Sequence, residues 1–197
     1  MKYYLSIVFN SLIVVVTAIV MYGYFQPKEG KNGKERGLSS FRYFTIDSNV
    51  FSAFVSAIYL VFIVTGKAIP SWLMVLKFVA SVTVMLTFLT VMLYLGPTYG
   101  YKNQLSDVNI HMHLMGPLMA AITCCFFENN MKLQIWQMLL GLVPTALFGL
   151  EYILMVSRKK KWPDFYGFAK SNLTLSGTLM MILTSIICLL MGFIYNH

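Results

Sequence analysis

Six apolar runs, each long enough to cross a bilayer, decide what this chain can become. They lie at residues 3–25, 43–64, 71–95, 109–127, 133–156 and 173–195, and crossing the hydrocarbon takes roughly 20 residues of helix. Backbone N–H and C=O groups find no water there, so runs of this length must close their own hydrogen bonds as helices. Composition agrees: hydrophobic residues make up 58 % of the 197 and charged residues 11 %, with a mean hydropathy of +0.70, more apolar surface than a soluble core can hide. The sequence therefore predicts an all-α integral membrane protein, a six-transmembrane-helix bundle forming one membrane domain over residues 1–197. The first run follows Lys2 as a secretory signal would. It exceeds the ~7–15 residues of a signal core and lacks a small-x-small cleavage site, which predicts a mature helix.

A net charge of +8 does not mark a nucleic-acid surface here, because the basic residues fall in connections between runs. Eleven of them occupy three such connections: Lys28, Lys31, Lys34, Arg36 and Arg42; Lys102; and Arg158, Lys159, Lys160, Lys161 and Lys170. Lys2, Lys67 and Lys132 lie at the opposite ends, and Lys77 inside the third run. The positive-inside rule turns the three basic connections to the cytoplasm and both termini outward, although Lys2 and the terminal amine pull the first helix the other way. The run beginning at Arg158 reads as a headgroup anchor, Trp162 as an interfacial ring, and Lys77 as a snorkelling side chain. Cys124, Cys125 and Cys188 read as buried thiols rather than a disulfide framework. The small residues and the 14 methionines of the runs read as packing.

Polar groups inside or at the edge of a span are costly to place, which makes each a functional candidate. The second run opens with "RYFTIDSN", bringing Thr45, Asp47, Ser48 and Asn49. The fourth opens with "NIHMH", bringing Asn109, His111 and His113, and the fifth ends with Glu151 and Tyr152, followed by "WPDFYGF". Both openings enter from the basic side, so Thr45 and His113 are expected at similar depth, with Glu151 and Tyr152 approaching the same level. Six of the seven acids lie on this side and Glu128 on the other. Thr45, Ser48 and Asn49 share a helical face, as do Asn109 and His113, whereas His111 and His113, two apart, diverge. That divergence argues against a paired-histidine haem, and the spacing of Asp107, His111 and His113 matches no zinc pattern, so no cofactor and no metal are expected. Pro117 frees backbone carbonyls near His113 and bends the helix. In the pocket this forms, a histidine can take the proton of a hydroxyl, and Thr45 is the best-placed hydroxyl to act as nucleophile or to orient water. Equally, Thr and Asn at helix ends cap or bond neighbouring helices, and an interfacial histidine can sit among headgroups; spacing alone leaves both readings standing.

"FRYFTIDSN", "NIHMHLMGP" with a following "FFE", and "WPDFYGF" resemble, in this order and across most of the chain, the androgen-induced protein family, which includes the androgen-dependent TFPI-regulating protein and bacterial relatives. The resemblance implies six spans and an intramembrane threonine hydrolase that cleaves fatty acid esters of hydroxy fatty acids. Its threonine and histidine carry over to Thr45 and His113. In the animal pattern a second histidine directly follows the asparagine, whereas here Ile110 intervenes before His111. Animal members are drawn with cytoplasmic termini, opposite to the charge count.

The expectation is a lipid ester hydrolase of the cell membrane, of bacterial type, with its polar layer near the cytoplasmic face. Thr45 would be the nucleophile and His113 the base. Asn49 and Asn109 would orient the histidine or stabilise an oxyanion, with Asp47, Ser48, His111, Glu151 and Tyr152 in support. The partners expected are the lipid bilayer and a fatty-acyl ester substrate that enters laterally, and no nucleic acid. Competing expectations are a small transporter, a lipid-binding membrane protein, or an acyltransferase using the same pair.

Overall fold

Helices in lipid gain little from hiding apolar side chains from one another, so close approach and polar contacts must hold them together. The computed structural model describes residues 1–26 and 37–197. Lys28, Lys31, Lys34 and Arg36 of the first basic connection lie outside the described residues. Among those described there is no β-strand. The helices are α1 (Lys2–Phe25), α2 (Phe44–Val64), α3 (Ser71–Tyr99), α4 (His111–Phe127), α5 (Ile135–Arg158) and α6 (Leu173–Asn196). All but α4 are long and apolar enough to cross a membrane, and α4 is apolar but shorter. The protein is thus built as a multi-pass membrane bundle.

α3 is the centre of the bundle. Eight consecutive residues, Lys77 to Val84, are buried, so no face of that stretch is open. α1 packs through a single stripe, Ser6, Asn10, Ile13, Thr17 and Val20, whose alternating steps of four and three give left-handed, knobs-into-holes contact. α2 approaches α3 over Ser48, Ser52 and Ser56, all buried, and the Ser48 and Thr87 hydroxyls meet at 3.0 Å. Ser81 donates to the Ala120 carbonyl at 3.1 Å, tying α3 to α4. Where α5 crosses α3 and α6, a Cβ on Gly141 would sit 2.7 Å from Cys188 Sγ and 2.9 Å from Val82 Cγ1, so the crossing requires glycine. All three cysteines are free and buried, as the sequence suggested.

Two Gly-Pro pairs shape the interior helices alike. Gly96-Pro97 and Gly116-Pro117 each follow a π turn, Val91–Leu95 and His111–Met115. In each, the glycine N–H closes a wide bond five residues back, to Val91 O and to His111 O. The proline has no N–H with which to continue, so the next carbonyl is released from the helix. Both released carbonyls are taken by a side chain. Tyr101 Oη donates to Met92 O at 2.7 Å, and Asn49 Nδ2 donates to Met112 O at 3.0 Å.

At the end of the bundle that carries the chain termini, Lys77 corrects the sequence expectation. It does not snorkel: it is 3 % exposed and its Nζ lies 3.1 Å from Glu128 Oε2. The same ammonium donates to Asn10 Oδ1 and to Ser56 Oγ, at 3.3 Å for the serine, and faces the Tyr59 ring at 5.0 Å. Glu128 Oε1 accepts from Ser6 Oγ at 2.7 Å and Asn10 Nδ2 at 2.5 Å. Tyr195 Oη, from α6, donates to the Glu128 carbonyl. With no polar solvent, lysine and glutamate bury together because each neutralises the other and serine and asparagine satisfy what remains. Lys77→Met strands the carboxylate and is expected to cost about 3–5 kcal/mol, while Lys77→Met combined with Glu128→Leu recovers most of it. Thermal unfolding in detergent checks this, and equal losses in the single and double variants would dissolve the pair as a stabilising unit.

Candidate active site

The opposite end of the bundle is where the sequence concentrated its polar residues. α2 begins there without a side-chain cap of its own, after an extended Tyr43, leaving first-turn N–H groups in need of acceptors. Phe44 N finds Tyr166, whose phenol oxygen accepts from it at 3.0 Å. Tyr166 is itself locked. Tyr94 Oη donates to its carbonyl at 3.0 Å, its N–H reaches Tyr152 Oη at 3.4 Å, and its ring stacks on Phe168 at 5.3 Å and meets Phe165 edge-on at 4.7 Å.

Asp164 organises the same loop. Its carboxylate accepts from Tyr152 Oη at 2.6 Å and from the N–H groups of Ala169 and Lys170 at 2.9 and 3.0 Å. Burial alone raises this carboxyl, but the bonds from Tyr152 and the Phe168–Lys170 backbone outweigh it and hold it below its ordinary value. For Tyr166, burial dominates and pushes the phenol up, so its proton stays on.

His113 is buried on the π turn of α4. Its Nδ1 lies 2.6 Å from the Gln104 carbonyl. A carbonyl only accepts, so Nδ1 carries the proton and Nε2 presents a lone pair, with no hydrogen-bond partner among the described residues. Thr45, half-buried on the first turn of α2, likewise has no partner for its hydroxyl among them.

Two cavities meet at Thr45. One, of about 570 Å³, is a polar chamber lined by Thr45, His113, Asn109, Gln104, Ser106 and Tyr166 among others. The second, of about 530 Å³, is apolar, lined by residues of α2, α3, α5 and α6 such as Phe44, Leu86, Phe148 and Met181. Its rim residues Leu150, Thr174 and Thr178 are exposed on the bundle surface at the seam between α5 and α6, the side that faces lipid. Thr45, Leu95 and Tyr166 line both cavities.

The remaining sequence candidates divide. Asn49 is buried and donates to Thr45 O at 2.8 Å and to Met112 O at 3.0 Å. Both amide hydrogens are thereby committed, so it positions the site and has no donor for an oxyanion. Gly116 makes room for it: a Cβ there would fall 3.0 Å from Asn49 Oδ1. Asn109 lines the polar chamber and donates to Asn103 O at 3.3 Å. Ser48 is buried between the Thr45 carbonyl and Thr87. Tyr152 lines the apolar cavity and holds Asp164. His111 lines neither cavity, and its Nδ1 is buried with no hydrogen-bond partner among the described residues. Asp47 and the exposed Glu151 also line neither, although their charges repel one another. No group of three or more metal-ligating side chains forms among the described residues. Sequence reasoning missed Gln104, which acts through a backbone carbonyl that no side chain advertises, and Tyr166, whose motif was read for its tryptophan and aspartate.

Comparison of the chain with family models, curated proteins and solved structures finds no match.

The Asp164 bonds carry a pH signature. A carboxyl lowered on folding stabilises fully above its unfolded value, near 3.8, and loses that contribution as the pH falls through the folded value. Asp164→Asn is therefore expected to melt earlier than the parent at neutral pH, and the gap to close on acidification. Melting curves over that range check it; a gap independent of pH would deny the carboxylate its role.

Proposed function

We propose that the chain is an intramembrane lipid ester hydrolase in which Thr45 attacks a fatty-acyl ester and His113 acts as general base, an activity of the kind implied by the resemblance to the androgen-induced family, whose substrates are fatty acid esters of hydroxy fatty acids. The observation that carries this reading is that a threonine hydroxyl without a partner among the described residues and a histidine of fixed tautomer line one chamber. The Gln104 carbonyl does for His113 what a carboxylate does in a triad: it holds the proton on Nδ1 and turns Nε2 to the reaction. The apolar cavity behind Thr45 supplies a place for the acyl chain, and its rim at the α5–α6 seam supplies a route from the leaflet.

In this reading all six helices cross the membrane. α4 is short, but both of its polar ends are sheltered by neighbours, His113 by the Gln104 loop and Glu128 by α1 and α3. The eleven basic residues of the three connections support a chamber at the cytoplasmic face by the positive-inside rule, and the resemblance supports a bacterial-type cell membrane.

The reaction proceeds in two halves. Thr45 Oγ gives its proton to His113 Nε2 and bonds to the ester carbon; the tetrahedral oxyanion collapses, the alcohol leaves with the proton from His113, and an acyl-threonine remains. Water then gives a proton to His113 and bonds to the acyl carbon, the bond to Thr45 Oγ breaks as that proton passes to it, and the acid is released. His113→Ala is expected to lower turnover of a fluorogenic long-chain ester about 10²–10⁴-fold, and Thr45→Ala to abolish labelling by a fluorophosphonate, with the adduct on Thr45 in the parent by mass spectrometry. Full turnover by both variants, with folding intact, would end the hydrolase reading and leave the apolar cavity as a lipid-binding site.

A further inference from the structure

A hydrolase of this design needs a hydrogen-bond donor for the oxyanion, and the asparagines expected from sequence do not supply one at the right place. Asn49 has both amide hydrogens on backbone carbonyls. Asn109 lines the polar chamber but not the apolar cavity. The ester carbon must sit at Thr45 with its acyl chain on the apolar side and its alcohol on the other, so the carbonyl oxygen lies where the two cavities join. Besides Thr45, the residues common to both are Leu95, which cannot donate, and Tyr166, which can.

We propose that Tyr166 is the oxyanion donor: as Thr45 Oγ bonds to the ester carbon, the phenol O–H of Tyr166 donates to the carbonyl oxygen that takes up the charge. This rests on the hydrolase reading and deepens it. Three observations support it. The phenol oxygen already accepts from the Phe44 N–H, and its proton has no acceptor among the described residues. That bond comes from the first turn of α2, a 21-residue helix, whose positive end polarises the O–H toward donation. The ring is packed against Phe165 and Phe168 and its backbone is held by Tyr94 and Tyr152, and a donor held in advance stabilises developing charge without reorganising. No proton is transferred; the hydrogen bond strengthens as the oxyanion forms and relaxes as it collapses.

The test uses the full-length protein in detergent with a fluorogenic long-chain ester. Tyr166→Phe is expected to lower kcat by about 10²–10³-fold, the usual loss of one oxyanion donor, with KM little changed. Because that variant also removes the acceptor that caps α2, a second series replaces Tyr166 with mono- and difluorotyrosine, which keep shape and oxygen while making the O–H a stronger donor. A kcat that climbs with phenol acidity while the phenol stays protonated, at constant melting temperature, supports the assignment whether or not Tyr166→Phe folds. A kcat indifferent to fluorination, or unchanged in a folded Tyr166→Phe, overturns it. Thr45→Ala runs alongside: if it is inactive while the Tyr166 variants are normal, the donor assignment fails alone, and if it is active, the hydrolase reading has failed beneath it.

Discussion

One carboxamide ties the candidate site together. The two hydrogens of Asn49 Nδ2 go to the carbonyl of Thr45 and the carbonyl of Met112, and Met112 is the residue before His113. A single side chain thus spans the gap between the helix that carries the hydroxyl and the helix that carries the imidazole. Its second bond exists because Pro117 has no N–H with which to claim Met112 O. In water such a carbonyl would be solvated at little cost; in a membrane interior it must find a protein donor, so the break in α4 itself demands a partner from α2. The closeness of Asn49 to Gly116 follows, since any larger residue there would press on the carboxamide.

The same device recurs at Gly96-Pro97, where Tyr101 takes the released Met92 carbonyl. The two breaks do different things. At Met92 the donor comes from the turn immediately following, and folds α3 into the Gln104 loop. At Met112 it comes from another helix. Between them lies the stretch whose Gln104 carbonyl fixes His113, so both breaks act on the same imidazole, one by shaping the loop that holds its Nδ1 and the other by anchoring its backbone.

How much of this the sequence disclosed depends on the distance over which the deciding interaction acts. The apolar runs and the ends of α1, α2 and α6 were legible to within a residue or so, because hydrocarbon admits little else. The third run was read as ending at Leu95, yet α3 continues to Tyr99; the π turn before Gly96 lets proline sit in a continuous helix, and apolar patterning carries no mark of a wide turn. Lys77 was misread for a similar reason. Nothing near it in sequence offers a counter-charge, and the glutamate that meets it belongs to the end of another helix. The depth argument did put Thr45 and His113 at one level, and they line one chamber, but the groups that orient them, Gln104 O and Tyr166 Oη, act through a backbone atom and through a loop ring packed against distant helices.

The bundle holds polar groups at both ends, and their state of satisfaction separates them. Around Lys77 and Glu128 a cation, an anion, an amide and two hydroxyls converge from α1, α2, α3 and α4. This cluster lines neither of the two cavities at the other end, and it behaves as a clamp. Around Thr45 the supporting groups are paired while the threonine hydroxyl, the imidazole Nε2 and the phenol proton have no partner among the described residues. Leaving three such valences open costs stability wherever water is scarce, and a protein that merely needed its helices joined would close them as it does at the other end. An open set of hydroxyl, imidazole and phenol, held by a closed set of asparagine, the Gln104 carbonyl and a helix terminus, is the arrangement the proposed hydrolase would need, with a substrate completing the hydrogen bonding.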